Sequence, residues 1–449
     1  MRTVSGPTRK TLAIAERNVP RYTSYPTAPH FSAAVGPETY ADWLEALPAD
    51  ASLSLYIHVP FCSELCFYCG CHTRAVRRRE PVESYAARLL DEIALFNGIK
   101  GRRLTHLHWG GGTPSILGSA WLETIVARLA ALFDLSALNE HAIELDPRRL
   151  DRSLALALAA IGVNRASLGM QDAAPHVQEA IGRVQPFAQV ERAADDLREA
   201  GIANLNIDLM YGLPRQTVRD VAHSAELAAL LKPQRLALFG YAHVPWFKTH
   251  QRLIDEAALP GLSERLRQVD LAAETLVRCG YQAIGLDHFA LPDDELAVAA
   301  REKRLHRNFQ GYTTDQADAL IGLGASAIGK LPQGFVQNAP DVAGYARAVA
   351  GGKFATVRGL ALSDDDRRRA VIIERLMCDL AVDLDAVAGG ANNFTDEVAA
   401  LHELADEGLV RIDGSRIAVT PAGRPFVRLI AAAFDAYLAA GHKRHSVAV

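Results

Sequence analysis

From residue 53 onward, short apolar runs alternate with stretches whose apolar residues recur every three or four positions. The runs at 53–59 (LSLYIHV), 104–109, 142–145, 164–169, 205–209 and 235–239 have the length of buried strands. Residues 81–97 put Tyr85, Leu89, Ile93 and Phe96 on one helical face and stop at Asn97-Gly98. Ser119 is a candidate N-cap for a helix running to 133. Further helical patterns lie near 148–160, 186–200 and 215–231. Six β-then-α units in a row predict a parallel sheet with right-handed crossovers. Six units fall short of a closed eight-stranded barrel. The expected fold class is therefore α/β, a partial (β/α)6 TIM-like barrel over 47–285. On such a sheet, functional groups collect at the C-terminal ends of the strands.

The flanks read differently. Residues 1–46 hold no strong period, and the run from Val19 to Pro26 is too proline-rich for a helix, which predicts an extended N-terminal arm. Residues 286–360 read as a loop-rich connecting region with an aromatic and polar block at 305–312. From 361 to 449 the pattern is three helices (the third at 395–407), a hairpin of 409–412 and 417–420 turned at Asp413-Gly414, and a last helix. That outline is a mostly helical, winged-helix-like C-terminal domain. Gly322-Leu323-Gly324 has the wrong spacing for a dinucleotide loop, and no strand–helix unit with an acidic partner follows it.

Composition narrows the picture. The chain has 449 residues, 49% apolar and 22% charged, the profile of a folded protein of more than one unit. A net charge of −4 gives no reason to expect nucleic acid or an anionic membrane as partner. The tail from 361 carries ten Lys/Arg against fourteen Asp/Glu, so the winged-helix outline lacks the basic face of a DNA module. No apolar run approaches the roughly 20 residues of a spanning helix. The first ten residues also lack a signal peptide's apolar stretch, so the expected location is the cytoplasm.

Four of the six cysteines fall between Cys62 and Cys71, which no disulfide framework explains. Cys279 and Cys378 are expected to be buried thiols. Cys62-x3-Cys66-x2-Cys69 follows the first strand and can bind three irons of a four-iron cluster, leaving the fourth open to a small chelating ligand. Structural zinc is the alternative, with Cys71 as a fourth sulfur. Gly110-Gly111-Gly112-Thr113-Pro114 follows the second strand on the same rim, where its glycines let backbone approach a ligand. Glu144, Gln171 and Asp208 recur at strand ends, and carboxylates there suit ribose hydroxyls or an ammonium group. Arg183 is either a solvated charge or a carboxylate fork. Tyr56 and His58 share one face of the first strand, with a satisfied core role the alternative for His58. Arg77-Arg78-Arg79 reads as a solvated face.

These residues resemble the radical S-adenosylmethionine superfamily. Within it, Pro20–Thr27 (PRYTSYPT), 56–62 (YIHVPFC), Cys69-Gly70-Cys71, 108–114 (HWGGGTP), 206–214 (NIDLMYGLP) and 306–312 (HRNFQGY) are similar to the oxygen-independent coproporphyrinogen III oxidase family, over about 19 to 440. The resemblance implies one [4Fe-4S] cluster and two S-adenosylmethionines. It makes Cys62, Cys66 and Cys69 the cluster ligands. It places Tyr56, Gly111, Glu144 and Ile328 on the first S-adenosylmethionine. Tyr68, Gly112, Thr113, Gln171, Arg183, Asp208 and Ala242 fall on the second. Position 68 is Tyr where the family has phenylalanine, with Phe67 beside it, and Cys71 belongs to the pattern without being a cluster ligand. The implied reaction turns two propionates of coproporphyrinogen III into vinyl groups, giving protoporphyrinogen IX in haem biosynthesis. A 5′-deoxyadenosyl radical removes a hydrogen, and CO2 and an electron are lost. The implied state is a monomer served by an electron donor such as flavodoxin. Arg21 on the arm is a candidate lid contact for the tetracarboxylate substrate. Sibling radical enzymes, a haem chaperone or a haem-degrading methyltransferase, share the cysteine motif. The chaperone branch usually lacks the PRYTSYPT arm and the CGC ending present here. A zinc-bearing winged-helix regulator is the reading from another class.

Overall fold

The computed structural model describes residues 9–388 and 394–438, so residues 1–8, most of the stretch inspected for a signal, lie outside it. Strand β1 (Leu53–Val59) is buried at all but one position. Strands β2 (Leu104–Gly111), β3 (Glu140–Leu145), β4 (Arg165–Gln171), β5 (Asn204–Tyr211) and β6 (Arg235–Gly240) follow in parallel and in sequence order. Helices α1 (Glu80–Ala94), α2 (Ser119–Leu132), α3 (Arg152–Ala160), α4 (Phe187–Glu199) and α5 (Val218–Leu230) make the crossovers. The expected βα succession is present. Ser119 is not an N-cap. It is the first helical residue, and Gly118, at φ 84°, holds the cap position with no side-chain hydrogen bond.

The connecting region is not loop-rich. With β7 (Gln282–Ile284) just before it, it contributes strands of the same sheet: β8 (His288–Ala290), β9 (Ala319–Leu323), β10 (Ile328–Leu331), β11 (Gly334–Asn338) and β12 (Thr356–Ala361). Strand β9 lies parallel to β1 on the side away from β2, so seven consecutive strands are parallel. Strands β10 to β12 extend that edge antiparallel, and β8 and β7 extend the other edge beyond β6. The twelve strands run in one open order, β12-β11-β10-β9-β1-β2-β3-β4-β5-β6-β8-β7, a barrel that does not close.

Along β5 the sequence alternates. Leu205, Ile207 and Leu209 are buried in the main apolar core, while Asn206, Asp208 and Met210 face the other way and are only partly covered. The apolar face takes the crossover helices, and the polar face lines the concave side of the barrel.

The arm is less extended than expected, with helices at Arg9–Ala15 and Pro37–Glu45. Its aromatic residues join a second core with the C-terminal domain, where the Tyr22 hydroxyl donates to Asp435 at 2.9 Å and the Tyr25 hydroxyl accepts the Ala436 N–H at 3.1 Å. That domain opens with helix α7 (Asp364–Asp379), whose Ser363 and Asp366 form a capping box. Helices Thr395–Ala400 and His402–Asp406 replace the single expected one, and the hairpin Val410–Asp413/Arg416–Val419 gains a third strand at Ala381–Asp383. Cys378 is buried as expected, but Cys279 is exposed because it caps the solvent end of helix α6 (Leu262–Arg278). Among the described residues, no helix is long and apolar enough to cross a membrane.

Candidate active site

The concave face of the sheet ends in a rim, and most of the expected site residues sit on it. Tyr56 and His58 leave β1 on that face. The Tyr56 hydroxyl is 3.1 Å from His58 Nδ1, and His58 Nε2 is 2.8 Å from the His72 carbonyl oxygen. A carbonyl only accepts, so Nε2 carries the proton and Nδ1 accepts from Tyr56. Burial lowers the His58 pKa to about 4, which keeps the ring neutral.

Glu144, on β3, accepts the Gly111 N–H at 3.3 Å and lies 3.3 Å from His108 Nε2 on β2. Asp208, on β5, accepts from the Ser167 hydroxyl at 2.9 Å and from the Asn206 amide at 2.7 Å. Burial raises the Asp208 pKa to about 6 against the Ser167 hydrogen bond, and the Glu144 charge adds to the rise. Gln171 closes β4 at φ 66°, where the pairing with β5 shifts register. Ile328 opens β10. Its backbone lies against Gly322, the register partner of Tyr56 on β9.

The glycine turn has a structural reason that the sequence reading did not give. Gly111 adopts φ 108°, and a Cβ there would meet the His58 ring; a Cβ on Gly112 would run into the Phe61 carbonyl and Thr73. The glycines thus let β2 close against the start of the cysteine loop.

The cysteine loop lies over this rim. Cys62 Sγ is 3.3 Å from Thr73 Oγ1 and 3.5 Å from Thr113 Oγ1. Arg183 reaches Cys66 Sγ at 3.6 Å, Asp146 at 3.3 Å and the Gly169 carbonyl at 2.8 Å, so it is neither solvated nor a lone fork. Arg148 is 3.9 Å from the same sulfur. Burial raises the Cys62 pKa, whereas the hydrogen bond with Cys71 is the main cause holding Cys69 down at about 7. Phe67 and Tyr68 pack with Val177, Ile181 and Tyr241.

The segment after β6 ties the loop from the far side. Lys248 donates to the Cys71 carbonyl at 2.8 Å, and His250 Nε2 lies 2.7 Å from the Cys69 carbonyl. Gln251 spans the Tyr68 carbonyl at 2.9 Å and the Ala242 carbonyl at 3.3 Å. Arg77 and Arg78 are exposed as expected, while Arg79 donates to the carbonyls of Ile116 and Leu117 at 3.3 Å.

Sequence reasoning missed Asp146, Arg148, Thr73, His108 and the strap from Lys248 to Gln251. For Ser167 and Asn206, the available signal was the two-residue alternation through 165–171 and 204–211.

Among the described residues, no group of three or more His, Cys, Asp or Glu side chains could hold a metal ion by itself. One zinc needs its sulfurs gathered about 2.3 Å from a single point. A four-iron cluster spreads its thiolates around a larger body and leaves one iron for another ligand. A loop of three thiols, buried or half-buried and lined by hydroxyls and guanidinium groups, fits the cluster.

A partial parallel barrel with CxxxCxxC above its strand ends defines a radical S-adenosylmethionine enzyme, and the model of that superfamily matches residues 56–228. The HemN C-terminal domain model matches 362–426. The oxygen-independent coproporphyrinogen III oxidase of Bradyrhizobium diazoefficiens is 50% identical over 450 residues, 98% of this chain and 100% of that protein. The Escherichia coli protein of the same name is 40% identical over 428 residues, 93% of each chain. The solved coproporphyrinogen III oxidase (HemN) from Escherichia coli superposes with a TM-score of 0.89 at 38% identity, covering 94% of this chain and 100% of that one. The chain belongs to the oxygen-independent coproporphyrinogen III oxidase family.

Proposed function

We propose that this chain converts coproporphyrinogen III to protoporphyrinogen IX without oxygen, by oxidative decarboxylation of two propionate side chains. The observation that carries the reading is the rim: three thiols above Glu144 and Asp208, in a chain half identical to a curated oxidase. When bound, a [4Fe-4S] cluster and S-adenosylmethionine supply the electron and the radical hydrogen abstraction that this reaction needs.

The chain's own residues bind, orient and exclude water. Cys62, Cys66 and Cys69 hold the cluster. Arg183 and Arg148 beside Cys66 offset its thiolate charge. Tyr56, Gly111, Glu144 and Ile328 take the S-adenosylmethionine nearest the cluster; Glu144 is an acceptor suited to its ammonium group. Tyr68, Gly112, Thr113, Gln171, Arg183, Asp208 and Ala242 take a second one. The strap from Lys248 to Gln251 keeps the cysteine loop closed over the concave face, which shields reactive species from solvent.

The arm (1–46), barrel (47–285), connecting region (286–360) and C-terminal domain (361–449) are assigned as substrate cover, chemistry, sheet extension and support. A cytoplasmic monomer reduced by a flavodoxin-like donor is the working state. Support for a docking donor comes from Trp246 and Phe247, 52% and 73% exposed just before the strap.

The test is anaerobic turnover of reconstituted full chain with dithionite, S-adenosylmethionine and coproporphyrinogen III, read by mass spectrometry. Protoporphyrinogen IX with matching 5′-deoxyadenosine is expected. Cleavage of S-adenosylmethionine without decarboxylation would move the substrate to a sibling reaction.

A further inference from the structure

The proposed reaction draws electrons from outside, through the cysteine loop, and one surface beside that loop is unlike the rest of the molecule. Among the described residues nine large apolar side chains stand exposed, and three of them, Trp246, Phe247 and Leu253, fall within eight consecutive positions. They flank the strap. Trp246 and Phe247 precede Lys248, whose ammonium lies 5.2 Å from the Phe247 ring centroid. Arg252 and Leu253, both exposed, follow Gln251. Between these two pairs, Lys248, His250 and Gln251 donate to the carbonyls of Cys71, Cys69 and Tyr68, so single hydrogen bonds join the patch to the cysteine loop. On the loop itself, Gly70 and His72 are exposed.

Charge singles out the same place. The two segments that these hydrogen bonds join, 65–79 and 242–254, hold six Lys/Arg and no Asp or Glu. The whole chain has a net charge of −4, so the remainder is acidic. The bordering carboxylates are engaged. Glu64 binds Arg148 and Arg149 at 3.4 and 3.1 Å, Asp255 accepts the Ala257 N–H at 3.1 Å, and Glu256 lies 2.9 Å from His243 Nε2. Glu80 opens helix α1, where its charge suits the helix N-terminus. At physiological ionic strength, exposed charges act over about 8 Å. A small partner seated beside the strap therefore meets cations, whereas a surface as broad as a membrane also meets the acidic remainder. Exposed aromatic and apolar side chains beside cations have the composition of a protein interface.

We propose that the residues flanking the strap, with the cationic stretch of the cysteine loop, form the docking surface for an acidic one-electron carrier protein. This rests on the function proposed above and adds where its electrons enter and the charge of the partner that brings them. One electron leaves the carrier and one reduces the loaded cluster, with no bond made or broken in this chain. Phe247 and Leu253 supply the apolar anchor, and Arg252 attracts the carrier's carboxylates. Electron-transfer encounters are small and brief, and charge steering sets their association rate. That suits a carrier that leaves after delivering its electron.

The experiment uses full-length reconstituted enzyme, with Phe247→Ser and Arg252→Glu, which leave the strap's own hydrogen bonds in place. Reduced bacterial flavodoxin is the carrier used as probe, and dithionite is the small reductant that needs no docking surface. With dithionite, both variants are expected to keep kcat and the KM for coproporphyrinogen III within about twofold of wild type. With flavodoxin, each is expected to raise the KM for flavodoxin about tenfold, and its Kd by titration calorimetry at low salt in parallel, as loss of one anchor or one steering charge predicts. Added salt should weaken wild-type and Phe247→Ser binding alike, and Arg252→Glu binding less steeply. Unchanged flavodoxin KM and Kd in both variants would overturn the docking surface while leaving the function standing. So would a wild type that turns over with dithionite and binds no flavodoxin. Equal losses with both reductants, or a raised KM for coproporphyrinogen III, would overturn it by assigning these residues to the loop's structure or to the substrate. A wild type inactive with dithionite would overturn the function proposed above, and the binding measurement would still decide the docking surface.

Discussion

The two ends of the parallel sheet both carry buried charge, yet the charges are arranged in opposite ways. At the N-terminal ends, Glu140 opens β3, Arg165 opens β4 and Arg235 opens β6. Arg165 binds Glu140 at 2.7 Å, and Arg235 binds Asp294 at 2.7 Å and Glu140 at 3.4 Å. Two arginines meet two carboxylates. Burial would raise the Glu140 pKa, but Arg235 and Arg165 overcome it and hold the carboxyl at about 2. At the C-terminal ends, Asp208 has hydroxyl and amide donors and, among the described residues, no cation in hydrogen-bond contact, and its carboxyl is pushed up to about 6. Charge satisfied by protein marks the end that holds the fold together. Charge left for an incoming group, as at Asp208, marks the end that does chemistry, although Asp146 there is paired with Arg148 and Arg183.

That contrast can be broken by substitution. Cys66→Ser should lower turnover at least about a thousandfold and reduce iron retention, with thermal unfolding nearly unchanged in the metal-free protein. Glu140→Gln should do the reverse. It leaves Arg165 and Arg235 sharing Asp294, and should cost about 3 kcal/mol in denaturant unfolding while the folded fraction keeps its kcat.

Asp208→Asn should sharpen the contrast through pH. A carboxyl raised from 3.8 to about 6 makes the folded state bind its proton more tightly, so stability falls as pH rises through that window. Glu140, lowered from 4.5 to about 2, contributes stability that is present above 4.5 and lost as pH falls toward 2. Asp208→Asn should therefore flatten the slope between about pH 4 and 6, add about 1–2 kcal/mol at pH 7, and lower activity about tenfold or more. Equilibrium unfolding across pH 3–8 would measure both slopes. Arg78→Ala, on the exposed stretch away from either end, should change stability by less than about 0.5 kcal/mol and leave turnover intact.

Much of this division could be read in the chain, for identifiable reasons. Strands β1 to β6 were legible because each carries a short apolar run or an alternation that buries one whole face, and their spacing carries the barrel. Strands β9 to β11 went unread because ALIGL, IGKL and GFVQN each contain glycine, which lowers strand propensity and resembles a loop. Cysteines at 62, 66 and 69 were legible because their spacing is chemically specific. The partners that surround them were not. Arg148 and Lys248 reach the loop from 80 or more residues away in sequence, and Asp146 holds Arg148 and Arg183 there, with nothing local to mark them.

The central claim is that the rim thiols serve a multi-iron cluster. It is tested most directly by counting iron, acid-labile sulfide and zinc per chain in anaerobically reconstituted full-length protein, beside Cys62→Ser, Cys66→Ser and Cys69→Ser variants. The account predicts about four irons and four sulfides in wild type, a reducible cluster signal, and loss of both in each variant. One zinc per chain without labile sulfide, retained on removal of a single cysteine, would contradict it.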